Sequence, residues 1–139
     1  MYNILLIDDN IQLLEVLAAS IETPLQDCNI LTARNGAEGI ALIDSMPVAL
    51  ILTDLDMPVM DGYGVIEHRN KRCPRVPLFV MSGSLSPEVR EKLGEMRVSG
   101  CIEKPFSLKQ INDVMALAGK VEPIEVKNSR RFVQHHAVM

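Results

Sequence analysis

The chain lacks the features that would place it in several broad protein classes. None of its stretches reaches the run of about 18 apolar residues that a membrane-spanning helix needs, although hydrophobic residues make up 47% of the sequence. The opening Met1-Tyr2-Asn3 has no basic segment, and the apolar run that follows stops at two aspartates, so no secretory signal peptide and a cytoplasmic location are expected. Cysteine is scarce: Cys28, Cys73 and Cys101 are odd in number and show neither CxxC nor Cys/His metal spacing, which argues against a disulfide framework or a zinc site. Buried thiols are expected instead. Positive charge is also lacking. A net charge of −4 disfavours unspecific attraction to nucleic acid or anionic lipid. Length sets the last bound, since 139 residues suit one ordinary domain with one core.

What is present is an alternation of short apolar runs with segments of helical period. The runs are Ile4 to Ile7, Ile30 to Ala33, Val48 to Leu52, Leu78 to Met81 and a weaker Cys101-Ile102. The first, third and fourth are apolar without alternation, as in parallel strands covered by helices on both faces. An α/β fold follows, with a doubly wound, five-stranded parallel sheet. Between the runs, Leu14, Leu17, Ala18 and Ile21 form an apolar stripe after the cap candidate Asn10, ended by Thr23-Pro24. Ala37, Ile40 and Ala41 form a shorter stripe, and a third helix, from about Gly64 to Lys71, rests on Val65 and Ile66 with a stop near Pro74. Ser86-Pro87 reads as an N-cap with proline at the first helical position, turning Val89, Leu93 and Met96 inward. Ser107 and Gln110 form a capping box ahead of Ile111, Val114, Met115 and Ala118.

In an open parallel sheet, ligands bind at the carboxyl ends of the strands, where the strand order reverses. Asp8, Asp9, Asp54 and Ser82 all fall at such ends, and Lys104 precedes Pro105 after the last run. Crowded carboxylates repel, so each has its pKa raised or binds a cation. Magnesium suits the site best, because it accepts one or two carboxylates, a backbone carbonyl and phosphate oxygens while keeping several waters. Calcium would need more oxygens than any loop here supplies.

The stretch Leu50-Ile51-Leu52-Thr53-Asp54-Leu55-Asp56-Met57-Pro58-Val59-Met60-Asp61-Gly62 is the most specific signal in the chain. With Asp8-Asp9 before it and Ser82-Gly83 and Lys104-Pro105-Phe106 after it, the sequence resembles the receiver domain of bacterial two-component response regulators over about residues 2 to 119. The resemblance implies a flavodoxin-like (βα)5 fold and a signalling domain, not an enzyme with turnover. Asp54 would accept a phosphoryl group from a sensor histidine kinase or phosphotransfer protein. Asp9 chiefly, with Asp8, Asp54 and the Asp56 carbonyl, would hold Mg²⁺; Ser82 would hydrogen-bond the phosphoryl oxygens and Lys104 would pair with them. A cis Lys104–Pro105 peptide is implied too. The chemistry agrees, because a carboxylate attacks phosphorus only where the charge on the transferred group is neutralised.

Two positions depart from the family pattern. Cys101 stands three residues before the lysine, where an aromatic ring usually turns inward on activation, and Gly83 follows Ser82 where alanine is commoner. A smaller rearrangement is therefore expected, carried by the Ser82 to Pro87 loop. The expected output surface is the face formed by the helices Ser86 to Met96 and Ser107 to Ala118 with the strand at Cys101, and it bears Arg90, Lys92, Arg97 and Lys109, which would steer an acidic protein partner. Residues 120 to 139 show no helix-turn-helix and are expected to be a tail or linker, with no output domain and no direct contact to nucleic acid.

Two rival readings remain. Asp54-Leu55-Asp56 also resembles the nucleophile motif of haloacid-dehalogenase-type phosphohydrolases, but Pro58 stands where that motif has Thr or Val, and the strand is third, not first. A receiver-like interaction module that is never phosphorylated would have lost an acidic or lysine position, and none is lost.

Overall fold

Each apolar run becomes a strand and each helical-period segment a helix, in strict alternation. The computed structural model describes residues 2–21 and 28–120. The elements are β1 (Tyr2–Ile7), α1 (Ile11–Ile21), β2 (Cys28–Ala33), α2 (Gly36–Ser45), β3 (Leu50–Asp54), α3 (Gly62–Arg72), β4 (Leu78–Ser82), α4 (Pro87–Glu95), β5 (Gly100–Glu103) and α5 (Leu108–Lys120). All strand pairs are parallel and the order is β2-β1-β3-β4-β5, the flavodoxin-like α/β arrangement. From β1 the chain goes outward to β2 and then returns to β3 on the other side. The carboxyl ends of β1 and β3 therefore flank the point where the winding reverses.

Strand alternation sorts the core into two layers. Ile4, Leu6, Leu50, Leu52, Phe79 and Met81 face α1 and α5, where Leu14, Leu17, Ile21, Ile111, Val114 and Met115 meet them. Leu5, Ile7, Ile51, Leu78 and Val80 face the other way, against Val65 and Ile66 of α3 and Leu93 of α4. Two-sided burial explains why β3 and β4 read as unbroken apolar runs: all five residues of each are buried.

Helix starts follow their caps. Asn10 Oδ1 accepts the Leu13 N–H at 3.1 Å, Ser86 Oγ accepts that of Val89 at 3.2 Å, and Ser107 and Gln110 form the expected reciprocal capping box at 2.8 and 3.2 Å. Asn35 caps α2 by accepting the Glu38 N–H at 2.9 Å.

The structure corrects several sequence expectations. β3 runs from Leu50 to Asp54, not from Val48 to Leu52, because its ladder to β4 continues to the pair Asp54–Met81. Asp54 is thus the last residue of the strand. β2 starts earlier than expected, at Cys28, and α3 starts at Gly62 under an Asp61 cap. In α2 the expected stripe is wrong: Ala37 and Ala41 are exposed, while Gly36 and Gly39 are buried and Leu42 and Ile43 pack on the core. A Cβ on Gly39 would strike Ile7 of the sheet, and one on Gly36 would lie 2.6 Å from the Met60 carbonyl oxygen, so this helix comes close to the sheet and to the β3–α3 loop where side chains are missing. The expected helix stop at Thr23-Pro24, the inward Ala118 side chain, the Cys28 thiol and nearly all of the tail at 120–139 lie outside the described residues.

Gly62 is the tightest approach near the sheet's carboxyl edge, since an added Cβ would collide with the Asp54 carbonyl oxygen and sit 2.8 Å from Leu55 Cα. Gly83 has open space around its α-carbon. Gly62→Ala is expected to lose about 1–3 kcal/mol in urea unfolding, whereas Gly83→Ala is expected to gain about 0.4–1 kcal/mol through a less flexible unfolded chain. Equal stability of Gly62→Ala and wild type would show that the backbone yields at this contact.

Candidate functional site

The register of β1 against β3 pairs Ile7 with Thr53, so Asp8 and Asp54 leave the sheet side by side. Asp8 extends the edge, its N–H donating to the Ala33 carbonyl at 3.1 Å, and its side chain is fully buried. Both of its oxygens are engaged: Oδ1 accepts the Asn10 N–H at 2.9 Å and Oδ2 accepts Lys104 Nζ at 2.8 Å. Asp9 is exposed beside it. Carboxylate oxygens of Asp8, Asp9 and Asp54 lie within 4.8 Å of one another, a spacing that one small cation can span.

Asp54 is buried, with 6% of its surface exposed. Its Oδ1 accepts the Leu55 N–H at 2.9 Å and lies 3.5 Å from Lys104 Nζ. Among the described residues no hydrogen bond engages Oδ2, which leaves that oxygen free to react. Burial, reinforced by the Asp8 carboxylate, pushes the Asp54 pKa up to about 6 against the opposing pull of Lys104 and the Leu55 N–H. For Lys104, burial favours the neutral amine, but the hydrogen bond and charge of Asp8, with the charge of Asp54, outweigh it and raise its pKa. The ammonium is thus tied first to Asp8 and only second to Asp54.

Ser82 ends β4 and is buried, but its hydroxyl is turned onto its own loop, where Oγ accepts the Ser84 N–H at 3.1 Å. Asp56 is exposed on the β3–α3 loop, and its carboxylate is not part of the three-carboxylate cluster. The fold therefore brings Asp8, Asp9, Asp54 and Lys104 together, while the Ser82 hydroxyl bonds within its own loop. Lys104–Pro105 is cis, as the resemblance implied. Cys101 is half-buried against the α3–α4 side of the sheet, and burial raises its thiol pKa, as it does that of half-buried Cys73.

Three contributors were not identified from the residue pattern. The Leu55 N–H orients Asp54, Gly62 closes the loop by donating to the Leu55 carbonyl at 2.9 Å, and Met60 docks that loop on α2 by accepting the Gly36 N–H at 3.0 Å. Only the Asp61-Gly62 pair offered a sequence signal, as a turn and helix start. Val59 lies in this loop with φ 72, the left-handed region that a β-branched residue rarely adopts, within a turn closed by Met60 N–H to the Pro58 carbonyl at 2.9 Å.

A parallel 2-1-3-4-5 sheet with a carboxylate cluster and a lysine at its switch point defines a class, and comparison with known proteins places the chain in it. Residues 4–116 match the response regulator receiver domain, and the chain belongs to that family of two-component signalling domains. Similar proteins include a putative NtrX-like response regulator of Rickettsia typhi, 27% identical over 128 residues that make up 91% of this chain and 26% of that protein. Another is the autoinducer 1 sensor kinase/phosphatase LuxN of Vibrio harveyi, 28% identical over 81% of this chain and 13% of its own length. The chain thus spans about a quarter or less of these relatives. Among solved structures, the chemotaxis response regulator CheY4 of Vibrio cholerae superposes with a TM-score of 0.75 at 21% identity, covering 85% of this chain and 98% of that one. The receiver domain of HemR from Leptospira biflexa gives 0.76 at 23%, covering 85% and 94%. These two likenesses speak for the fold. Family membership displaces the phosphohydrolase reading, and no helix among the described residues is long and apolar enough to cross a membrane.

The buried Asp54 carboxylate makes a pH prediction. Its folded pKa of about 6 exceeds the model-peptide value of 3.8, so its protonated form contributes stability that is present below 3.8 and lost as pH rises through 6. Asp54→Asn is therefore expected to be more stable than wild type by about 1–3 kcal/mol at pH 8 without divalent cations, and to lose that advantage at pH 4. Urea unfolding at the two pH values checks this. An equal gain at both would mean that ionisation of Asp54 is not the cause.

Proposed function

We propose that Asp54 is the phosphoacceptor of this receiver domain, taking its phosphoryl group from a sensor histidine kinase or phosphotransfer protein. The observation that carries the reading is a buried aspartate with one free oxygen, two further carboxylates within 4.8 Å and an ammonium 3.5 Å away. The donor set fits Mg²⁺, with Asp9 chiefly, then Asp8, Asp54 and the Asp56 carbonyl as ligands. Asp9 is exposed, which would leave part of the ion's coordination to water. When bound, the ion would neutralise charge on the phosphoryl oxygens.

The chain's own groups supply the rest. Asp54 Oδ1 is held by Leu55, which aims Oδ2 at the donor. As the Oδ2–P bond forms, the bond from phosphorus to the imidazole nitrogen breaks, and its electron pair stays on the ring. Lys104 can exchange part of its pairing with Asp8 for a phosphoryl oxygen, and the Ser82 hydroxyl can leave Ser84 for another. Each exchange moves the loop that bears it, toward a downstream protein partner on α4 and α5. Arg90, Lys92 and Lys109 are exposed on those helices, although Arg90 pairs with Glu103 at 3.5 Å and Lys109 with Asp113 at 3.3 Å. We further read residues 1–119 as the receiver, 120–139 as a tail or linker, and the cytoplasm as its location.

Incubation with acetyl phosphate and Mg²⁺ is expected to add one phosphoryl group to the intact protein by mass spectrometry, and none to Asp54→Asn. Asp9→Ala is expected to abolish both Mg²⁺-induced NMR shifts and labelling. Labelling of Asp54→Asn at the wild-type level would remove Asp54 from this role. Lys104→Ala is expected to accept the group but not to convert it into the shifted conformation, because the charge that distinguishes the two states is gone. A wild-type pattern of amide shifts in phosphorylated Lys104→Ala would exclude the lysine from switching.

A further inference from the structure

Arg69 of α3 is 2% exposed, and no carboxylate among the described residues pairs with it. Its guanidinium is satisfied by backbone and amide oxygens instead. Nε donates to the Val76 carbonyl at 3.0 Å, Nη2 to the Arg97 carbonyl at 3.0 Å, and Nη1 to Asn70 Oδ1. Asn70 in turn donates from Nδ2 to the Met96 carbonyl at 2.9 Å. Burial lowers the Arg69 pKa to about 10, so the group stays charged at neutral pH.

The carbonyls of Met96 and Arg97 lie where α4 ends, in the turn that leaves carbonyls without helical partners and carries the negative end of the helix dipole. Arg97 adopts φ 66, and Arg97 and Val98 close the helix by donating to Gly94 and Leu93 at 3.1 and 3.3 Å. Just over one turn before Met96, Lys92 Nζ sits 4.0 Å above the Tyr63 ring, a second tie between α4 and α3.

The other end of α4 is held differently. Gly83 and Ser84 are exposed, and the Ser82 hydroxyl bonds only within its own loop. Arg90 reaches the Leu85 carbonyl at 3.2 Å and Glu103 at 3.5 Å, the latter in solvent.

We infer that Arg69 and Asn70 clamp the C-terminal end of α4 to α3 and make it the pivot about which the N-terminal end of α4 swings when Asp54 is phosphorylated. This rests on the phosphoacceptor reading above. Withdrawal of the Ser82 hydroxyl toward the phosphoryl group loosens the Gly83 to Ser86 loop, while the buried guanidinium keeps the Arg97 carbonyl in place and the Asn70 amide that of Met96. Motion is then largest at the first turn of α4, and small at its last.

Amide hydrogen exchange on the full chain with Mg²⁺, with and without beryllofluoride as phosphoryl mimic, tests this. In wild type the mimic is expected to change exchange at Gly83 to Val89 and leave Met96 to Val98 within about twofold. Asn70→Ala keeps Arg69 and is the milder change; Arg69→Met removes the guanidinium. Both are expected to speed exchange at Arg97 and Val98 about tenfold without the mimic, and to let the mimic's effect spread to those amides. Unchanged exchange at Arg97 and Val98 in Asn70→Ala and Arg69→Met would overturn the clamp, and a wild-type response as large at Met96 to Val98 as at Ser84 would overturn the pivot. A wild type that shows no response anywhere, and no labelling by acetyl phosphate, would instead refute the phosphoacceptor reading and the pivot with it, while the unliganded exchange of Asn70→Ala still decides the clamp.

Discussion

Three carboxylates within 4.8 Å repel, and the ion pair between Lys104 and Asp8 is what holds them together at the edge of the sheet. Asp8 is fully buried, so its charge has no water to spread into, and Lys104 at 2.8 Å is its main compensation. Asp54 receives the weaker share of that ammonium. It is left with a raised pKa and one free oxygen, a combination that favours any process bringing positive charge or consuming the carboxylate. The rest of the fold serves this tension. Strand register sets Asp8 beside Asp54, the β4–β5 pairing continues to Ser82–Glu103, and Lys104 follows one residue later.

The pairings of Lys104 and Ser82 set what the proposed switch would have to undo. Lys104 is committed to Asp8, and Ser82 to Ser84. Lys104 also stands 3.5 Å from Asp54 but is bonded to Asp8, and Ser82 is turned away onto its loop, so the proposed phosphorylation would exchange existing interactions for new ones, and only the difference between them would drive a conformational change. That difference would act on loops at one end of α4 and α5, while Arg69 and Asn70 bond carbonyls at the far end of α4. In the proposed switch, a thiol at 101 offers no ring to carry inward, which would concentrate the motion in the Gly83 loop.

Much of this was legible in the residue order. Unbroken apolar runs announced a parallel sheet, capping residues located three of the five helix starts, and the carboxylates, serine and lysine stood at strand ends in a recognisable order. These signals are local: an aspartate at the end of an apolar run is placed by its own strand, whatever the partner strands do. Where the reading failed, the decisive neighbour was distant in sequence. α2 was assigned the wrong face because Gly36 and Gly39 bury themselves by having no side chain, and their value depends on Met60 and Ile7 being opposite. β3 was cut short at Leu52 because the polar Thr53-Asp54 is held in the sheet by pairing with β4.

The sequence by itself determined the element types, the parallel sheet and the set of reactive groups, since hydrophobic period, caps and strand-end residues act over a few positions. Only the tertiary structure decided how charge is divided among those groups. That Lys104 serves Asp8 before Asp54, that a Leu55 N–H leaves Oδ2 free, and that a buried arginine is neutralised by carbonyls at the end of α4 all depend on distances across the fold. Coulomb energy and hydrogen bonding fall off within a few ångströms, and no spacing along the chain specifies them.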